Sequence, residues 1–172
     1  MNKMNVAAFK STSHVLGAAT RTTQPDKALT VDDVVAHGIV VRDSTNAGLQ
    51  ALIDKDQLKI ALVDYDTRLI YRPQLFAVTD DLRVEQQDEA VALTVVLNGS
   101  TVTVTLPAAT PSDIQVFVHV TGGALSEPAV RAVPIAKTTS VGAAGLVLGS
   151  GDYTVVILAP GYTTRIVTEP VP

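Results

Sequence analysis

Cysteine and tryptophan are absent from this 172-residue sequence, and aromatic and charged residues are scarce. Without cysteine, neither a disulfide framework nor thiolate chemistry is available. No apolar run reaches the roughly 18 residues that a transmembrane helix needs, so no membrane-spanning helix is predicted. The net charge of −4 argues against nucleic acid as the main partner. The length suits one domain or two small ones.

Charge is sparsest after residue 89. The charged side chains of residues 90–172 are Asp113, Glu127, Arg131, Lys137, Asp152, Arg165 and Glu169. An isolated domain normally carries more charge to remain soluble. Either Thr and Ser cover the outer surface of this half, or part of that surface is buried against other subunits. We favour burial, which predicts a homo-oligomer.

Residue patterns for metal binding are weak. The three histidines, His14, His37 and His119, lack the spacing of zinc ligands. Asp54-Lys55-Asp56 and Asp64-Tyr65-Asp66 resemble D-x-D metal pairs, but aspartate is also favoured in turns at the ends of elements. We therefore predict that no metal is bound and that His119 is a surface or half-buried strand residue.

Patterns for catalysis and for cofactors are absent as well. Ser150 directly follows Gly149 and directly precedes Gly151, whereas the G-x-S-x-G pattern of a nucleophile elbow has one residue between the serine and each glycine. Neither a phosphate-binding loop nor a dinucleotide fingerprint occurs. The chain is therefore predicted to be non-enzymatic and to need no cofactor. The few aromatic residues also count against a sugar-binding surface built on exposed rings.

Residues 1–29 show no sustained hydrophobic period and many small polar residues, which predicts an extended N-terminal arm. Its apolar run is broken by polar residues 10–14, so it is not a convincing secretory signal. Four apolar side chains of the arm could dock onto a neighbouring protein. This candidate assembly interface consists of Val6, Phe9, Val15 and Leu16.

Residues 30–89 predict a small α+β region. Thr30 and Asp33 fit a capping box at the start of a short helix that ends at Gly38. Leu49, Leu52 and Ile53 have helical spacing, which predicts a second helix from about residue 47. The predicted strands are 39–42, 57–64, 69–71 and 75–78. The acidic segment 80–89 is predicted to lie at the surface and to mark the domain boundary.

Residues 90–172 predict a β-domain of about seven strands. Its clearest feature is Asn98-Gly99-Ser100 between two alternating segments, 92–97 and 101–106, because Asn-Gly favours a hairpin turn. Further strands are predicted at 113–121 and 129–136. A closing hairpin is predicted from strands 153–158 and 163–168, with a type II turn at Pro160-Gly161.

The second half resembles transthyretin-like and carboxypeptidase-regulatory-like sandwiches, which are Ig-like. The matching segments are Pro128–Val133, Thr138-Thr139, Gly151–Val155 and Pro160-Gly161-Tyr162, about a third of the chain. Ser126-Glu127 replaces the usual glycine before the proline, so we expect the preceding loop to differ. The resemblance implies an antiparallel β-sandwich and leaves the function open, since such modules serve many roles.

In overall style the sequence is similar to structural proteins of tailed-bacteriophage virions. This similarity implies a capsid decoration, collar or tail-attachment protein, made in the host cytoplasm and held in the virion by its N-terminal region. The expected partners are further copies of the chain and capsid, portal or tail proteins, with no nucleic acid or membrane. The alternative is a surface-exposed adhesin module that binds a receptor or glycan.

Overall fold

A computed structural model of the chain describes residues 2–19, 27–42, 49–89 and 92–172. The fold is mainly β, with several antiparallel sheets. The strands are β1 (Lys3–Phe9), β2 (Val15–Ala19), β3 (Gly38–Arg42), β4 (Gln50–Asp54), β5 (Leu58–Asp64), β6 (Phe76–Val78), β7 (Val84–Gln86), β8 (Thr94–Leu97), β9 (Thr101–Thr105), β10 (Ile114–Gly122), β11 (Ala129–Ile135), β12 (Val141–Gly145), β13 (Gly151–Leu158) and β14 (Arg165–Val171). The α-helices are α1 (Val31–Val34) and α2 (Thr67–Tyr71), and 3-10 turns cover Lys55–Gln57 and Pro73–Leu75.

The chain folds into two compact units. Unit 1 comprises Met1–Val41, Leu52–Glu89 and Gly161–Thr163, and unit 2 comprises Arg42–Ala51, Ala90–Pro160 and Thr164–Pro172. Within the described ranges no helix has the length and apolar character needed to cross a membrane.

Unit 1 is organised around β1, the central strand of a three-stranded antiparallel sheet in the order β2-β1-β5. The β1–β5 register runs without interruption from Lys3 opposite Asp64 to Phe9 opposite Leu58. The register between β1 and β2 shifts between Ala7 and Ala8. The sheet contributes to a core made of Met4, Val6, Val15, Ala61, Val63, Leu69, Phe76 and Val78.

The predicted N-terminal arm is not confirmed, because residues 3–9 and 15–19 are strands of unit 1. The four residues assigned to an assembly interface, Val6, Phe9, Val15 and Leu16, are all buried within the chain. Several described polar residues of this segment have partners within the chain, and residues 20–26 lie outside the described ranges. Asn5, for example, is buried in β1, donates to the Lys27 carbonyl at 3.2 Å and accepts from the Leu29 amide at 2.9 Å.

The capping box before α1 is confirmed. Thr30 Oγ1 accepts from the Asp33 amide at 3.3 Å, and Asp33 Oδ2 accepts from the Thr30 amide at 2.9 Å. Strands β3 and β5 also lie where they were predicted.

Two local predictions in this region are wrong. The segment predicted to be a helix through Ile53 forms β4, paired with β3, and Leu49 precedes it. The segment predicted to be a strand at 69–71 belongs to α2, because Asp66 caps a helical turn there by accepting from the Arg68 amide at 2.8 Å. The surface segment 80–89 contains β7, which pairs with β6.

Unit 2 contains a four-stranded sheet in the order β11-β10-β13-β14 and a three-stranded sheet in the order β12-β9-β8, both antiparallel. The seven strands β8 to β14 match the number predicted. Side chains alternate between exposed and buried along β8 and between half-buried and buried along β9, so the three-stranded sheet buries one face. Its hairpin turn follows the prediction, with Gly99 at φ 83° and Asn98 Oδ1 accepting from the Thr101 amide at 2.8 Å.

Tyr153 is the largest fully buried side chain of unit 2. Its hydroxyl donates to the Gly149 carbonyl at 2.9 Å. The ring lies so close to Gly123 that a Cβ atom at that position would collide with it, and Gly123 also has a positive φ of 55°. The ring therefore requires glycine at position 123.

Candidate functional site

The Asp64-Tyr65-Asp66 pair, considered above as a metal site, is held by basic side chains. Lys3 Nζ lies 2.7 Å from Asp64 Oδ1, and Arg68 Nη2 lies 2.7 Å from Asp66 Oδ2. Hydrogen bonding from Arg68 lowers the pKa of Asp66 below its usual value. These two carboxylates already have cationic partners, and Asp66 is also the helix cap.

Asp54 directly precedes the 3-10 turn Lys55–Gln57 and Asp56 lies within it, which agrees with the turn interpretation of their spacing. Lys55 Nζ reaches Asp32 Oδ1 at 3.0 Å instead of either neighbour, and hydrogen bonding to Asp32 raises the pKa of Lys55. In the described part of the chain, no group of three or more His, Asp or Glu side chains is placed to hold a metal ion.

His14 and His119 are both buried, so the prediction that His119 is a surface or half-buried residue is wrong. His14 is fully buried in unit 1, with Nε2 2.8 Å from the Tyr162 carbonyl and Nδ1 2.7 Å from Thr12 Oγ1. A carbonyl can only accept, so Nε2 carries a proton and donates to the Tyr162 carbonyl. His14 is a structural residue.

His14→Phe is expected to destabilise unit 1 by about 2 kcal/mol, because the Tyr162 carbonyl and the buried Thr12 hydroxyl lose their ring-nitrogen partners while an aromatic ring is kept. Urea unfolding monitored by circular dichroism measures the change. The matched control is His37→Phe, since His37 is exposed in the same unit. Equal effects of the two substitutions would contradict the structural role of His14.

The outer face of the β12-β9-β8 sheet is the first candidate site, and we call it the Thr/Val face. It consists of Thr94, Val96, Thr101, Thr103, Thr105, Val141, Ala143 and Gly145. The register places Val96, Thr103 and Ala143 in one cross-strand row. None of the eight is charged, and Val96 and Val141 are 57% and 51% exposed. Arg131 reaches the rim only, where Nε donates to the Gly145 carbonyl at 3.1 Å.

A second candidate site is a cleft of about 350 Å³ beside α2, which we call the α2 cleft. It is lined by Thr67, Arg68, Tyr71, Arg72, Leu75, Phe76 and Gln86. Two of these residues are arginines and none is acidic, although the whole chain has a net charge of −4. Phe76 is buried, and the Arg68 guanidinium lies 5.3 Å from the centre of its ring.

Tyr71 and Arg72 are two of the exposed residues that line the α2 cleft. Tyr71 is 81% exposed. The backbone of Arg72 is fixed on both sides, because its amide donates to the Arg68 carbonyl at 2.8 Å and its carbonyl accepts from the Leu75 amide at 3.2 Å. No described residue forms an ion pair with the Arg72 side chain. An arginine with an anchored backbone and no ionic partner, next to an exposed aromatic ring, suits the recognition of a carboxylate.

The sequence alone did not predict which residues form the Thr/Val face or the α2 cleft. The alternation of Thr and Val in β9 was recognised, but the outward alignment of β8 and β12 depends on register between distant segments. The α2 cleft was missed because its segment was predicted to be strand, which would have separated Tyr71 from Arg68. The N-cap Asp66 was the available signal for a helix there.

No known protein-family model matches the chain, and comparisons with curated proteins and with solved structures also found no match.

Proposed function

We propose that the protein is a non-enzymatic structural component of a large assembly, associated with copies of itself. The observation that carries this proposal is the Thr/Val face. An exposed β-sheet face with two half-exposed valines and no charge resembles the centre of a subunit interface, where charged residues are depleted. Burial of this face in an oligomer would also account for the low charge of residues 90–172.

The assembly we propose is a bacteriophage virion, in which the chain would be a capsid decoration, collar or tail-attachment protein. Its further partners would be capsid, portal or tail proteins. The two antiparallel sheets of unit 2 support an Ig-like, transthyretin-like sandwich as the fold of this half. Since the first strands are buried in unit 1, attachment to the particle would use folded surfaces instead of an N-terminal arm.

Introducing charge on the Thr/Val face tests the proposal. Val96→Lys combined with Val141→Lys is expected to abolish self-association, because two ammonium groups would have to be desolvated in the interface. Both side chains are exposed in the single chain, so its β-type circular dichroism and thermal midpoint should be retained. Sedimentation velocity at micromolar concentration measures the association.

The matched control places the same charges elsewhere in unit 2, as Gln115→Lys with Ala132→Lys. Both residues are exposed, on β10 and β11. We expect this variant to associate as the wild type does. A wild-type chain that remains monomeric at high concentration would overturn the proposed function, and equal loss with both lysine pairs would remove the special role of the Thr/Val face.

A second candidate function is a surface-exposed receptor- or glycan-binding module. It is favoured by the α2 cleft, where a highly exposed tyrosine lies beside arginine and glutamine side chains. Tyrosine and arginine are typical of binding hot spots. A monomeric wild-type chain that binds an acidic glycan, and loses that binding in Tyr71→Ala, would favour this function over assembly.

A further inference from the structure

The turn after β6 carries an exposed leucine between acidic and basic residues, and we call residues 79–83 the acidic turn. The Leu82 amide donates to the Thr79 carbonyl at 3.0 Å, and the Thr79 amide donates to the Arg83 carbonyl at 2.9 Å. Leu82 has a positive φ of 63° and is 53% exposed. An aliphatic residue in this backbone region is strained, and such strain is often found at functional sites.

Only one of the two carboxylates of the acidic turn has an ionic partner within the described chain. Asp81 Oδ2 pairs with Arg83 Nε at 2.8 Å. Asp80 is exposed, and no described residue forms an ion pair with it. The turn therefore presents one free carboxylate next to one exposed aliphatic side chain.

The α2 cleft has the complementary arrangement. Arg68 is neutralised by Asp66, whereas Arg72 has no ionic partner among the described residues. Tyr71 and Leu75 supply apolar surface beside Arg72. One free guanidinium and an apolar wall match one free carboxylate and an exposed leucine.

We propose that the acidic turn of one chain docks into the α2 cleft of a second copy, with Asp80 pairing with Arg72 and Leu82 packing against Tyr71 and Leu75. The two surfaces are different parts of unit 1, so the contact is made twice in a two-fold dimer or repeated head to tail along a series of copies. Repetition of a heterologous contact produces a closed ring or an open filament. The inference rests on the proposed self-assembly and names one contact through which two copies would meet.

A single turn in a cleft of about 350 Å³ is smaller than a complete stable interface. Its contribution is therefore specificity: it selects which surfaces of two copies meet, and it depends on one ion pair at the surface. Self-association is expected to weaken with increasing salt, since exposed charges are screened.

A charge-swap series tested by sedimentation velocity examines this contact. Arg72→Glu and Asp80→Arg should each weaken self-association by about tenfold, because each places like charges opposite one another. The double variant restores opposite charges in reversed order and should associate within about threefold of the wild type. All of these positions are exposed, so circular dichroism should be unchanged.

The matched control is Lys27→Glu, which makes the same charge change at an exposed position of unit 1 and should leave self-association unchanged. If the wild type assembles but Arg72→Glu has no effect, or if the double variant is no better than the single ones, the docking proposal is overturned while self-assembly stands. If the wild type is monomeric, both proposals fail.

Discussion

Val6→Asp is expected to unfold unit 1. Val6 is fully buried in the central strand of the β2-β1-β5 sheet and belongs to the core of that unit. A carboxylate there would be buried without a partner, at a cost of about 5 kcal/mol or more, which is comparable to the whole stability of many small domains. The expected result is loss of amide protection across β1, β2 and β5 in hydrogen exchange.

Val40→Asp is the matched control, since Val40 is an exposed strand residue of the same unit. It should change the free energy of unfolding by no more than about 0.5 kcal/mol. A folded Val6→Asp chain with normal protection in β1, β2 and β5 would contradict the burial of the Val6 side chain in the core of unit 1. Deletion of residues 2–19 should be as damaging as Val6→Asp, because it removes both β1 and β2 and leaves β5 without a partner strand in this sheet.

Tyr153→Ala is expected to destabilise unit 2 by about 3–5 kcal/mol, the usual cost of truncating a large buried aromatic side chain. The substitution empties the space beside Gly123 and leaves the Gly149 carbonyl without its donor. Tyr153→Phe should cost only about 1 kcal/mol, since it removes the hydrogen bond and keeps the ring. Denaturant unfolding of dilute, monomeric protein measures both changes.

The control for this series is Tyr71→Ala, which truncates an exposed tyrosine and should change the stability of the monomer very little. Gly123→Ala supplies an independent check, because its methyl group would force the Tyr153 ring from its place. If Tyr153→Ala is no more destabilising than Tyr71→Ala, the ring is not a main support of unit 2.

Sequence patterns predicted the elements whose determinants are local. The Asn98-Gly99 turn and the Thr30–Asp33 capping box each depend on residues within four positions of one another, and both were predicted correctly. The positive φ of Gly161 at 88° likewise agrees with the turn predicted there. The mainly β character of the chain also follows from local periodicity.

The predictions that failed depend on distant partners. Strand β1 pairs with β5, whose residues lie 49 to 61 positions further along the chain, and Asn5 and His14 can be buried only because remote backbone groups satisfy them. Local composition therefore made a core strand resemble a polar arm. For the same reason the interface predicted from the sequence consisted of four N-terminal apolar residues, whereas the candidate surfaces of the structure combine residues from separate strands and turns.

The discontinuity of unit 1 has a consequence for synthesis on the ribosome. Residues 161–163 leave the ribosome after β13, yet Gly161 and Thr163 bond to Asp88 and Tyr162 bonds to His14. Although N-terminal domains commonly fold first, this unit cannot be completed until nearly the whole chain has been made. A nascent chain arrested before residue 161 would hold His14 in an unfinished core, so premature termination late in the message should damage the N-terminal unit as well as the C-terminal one.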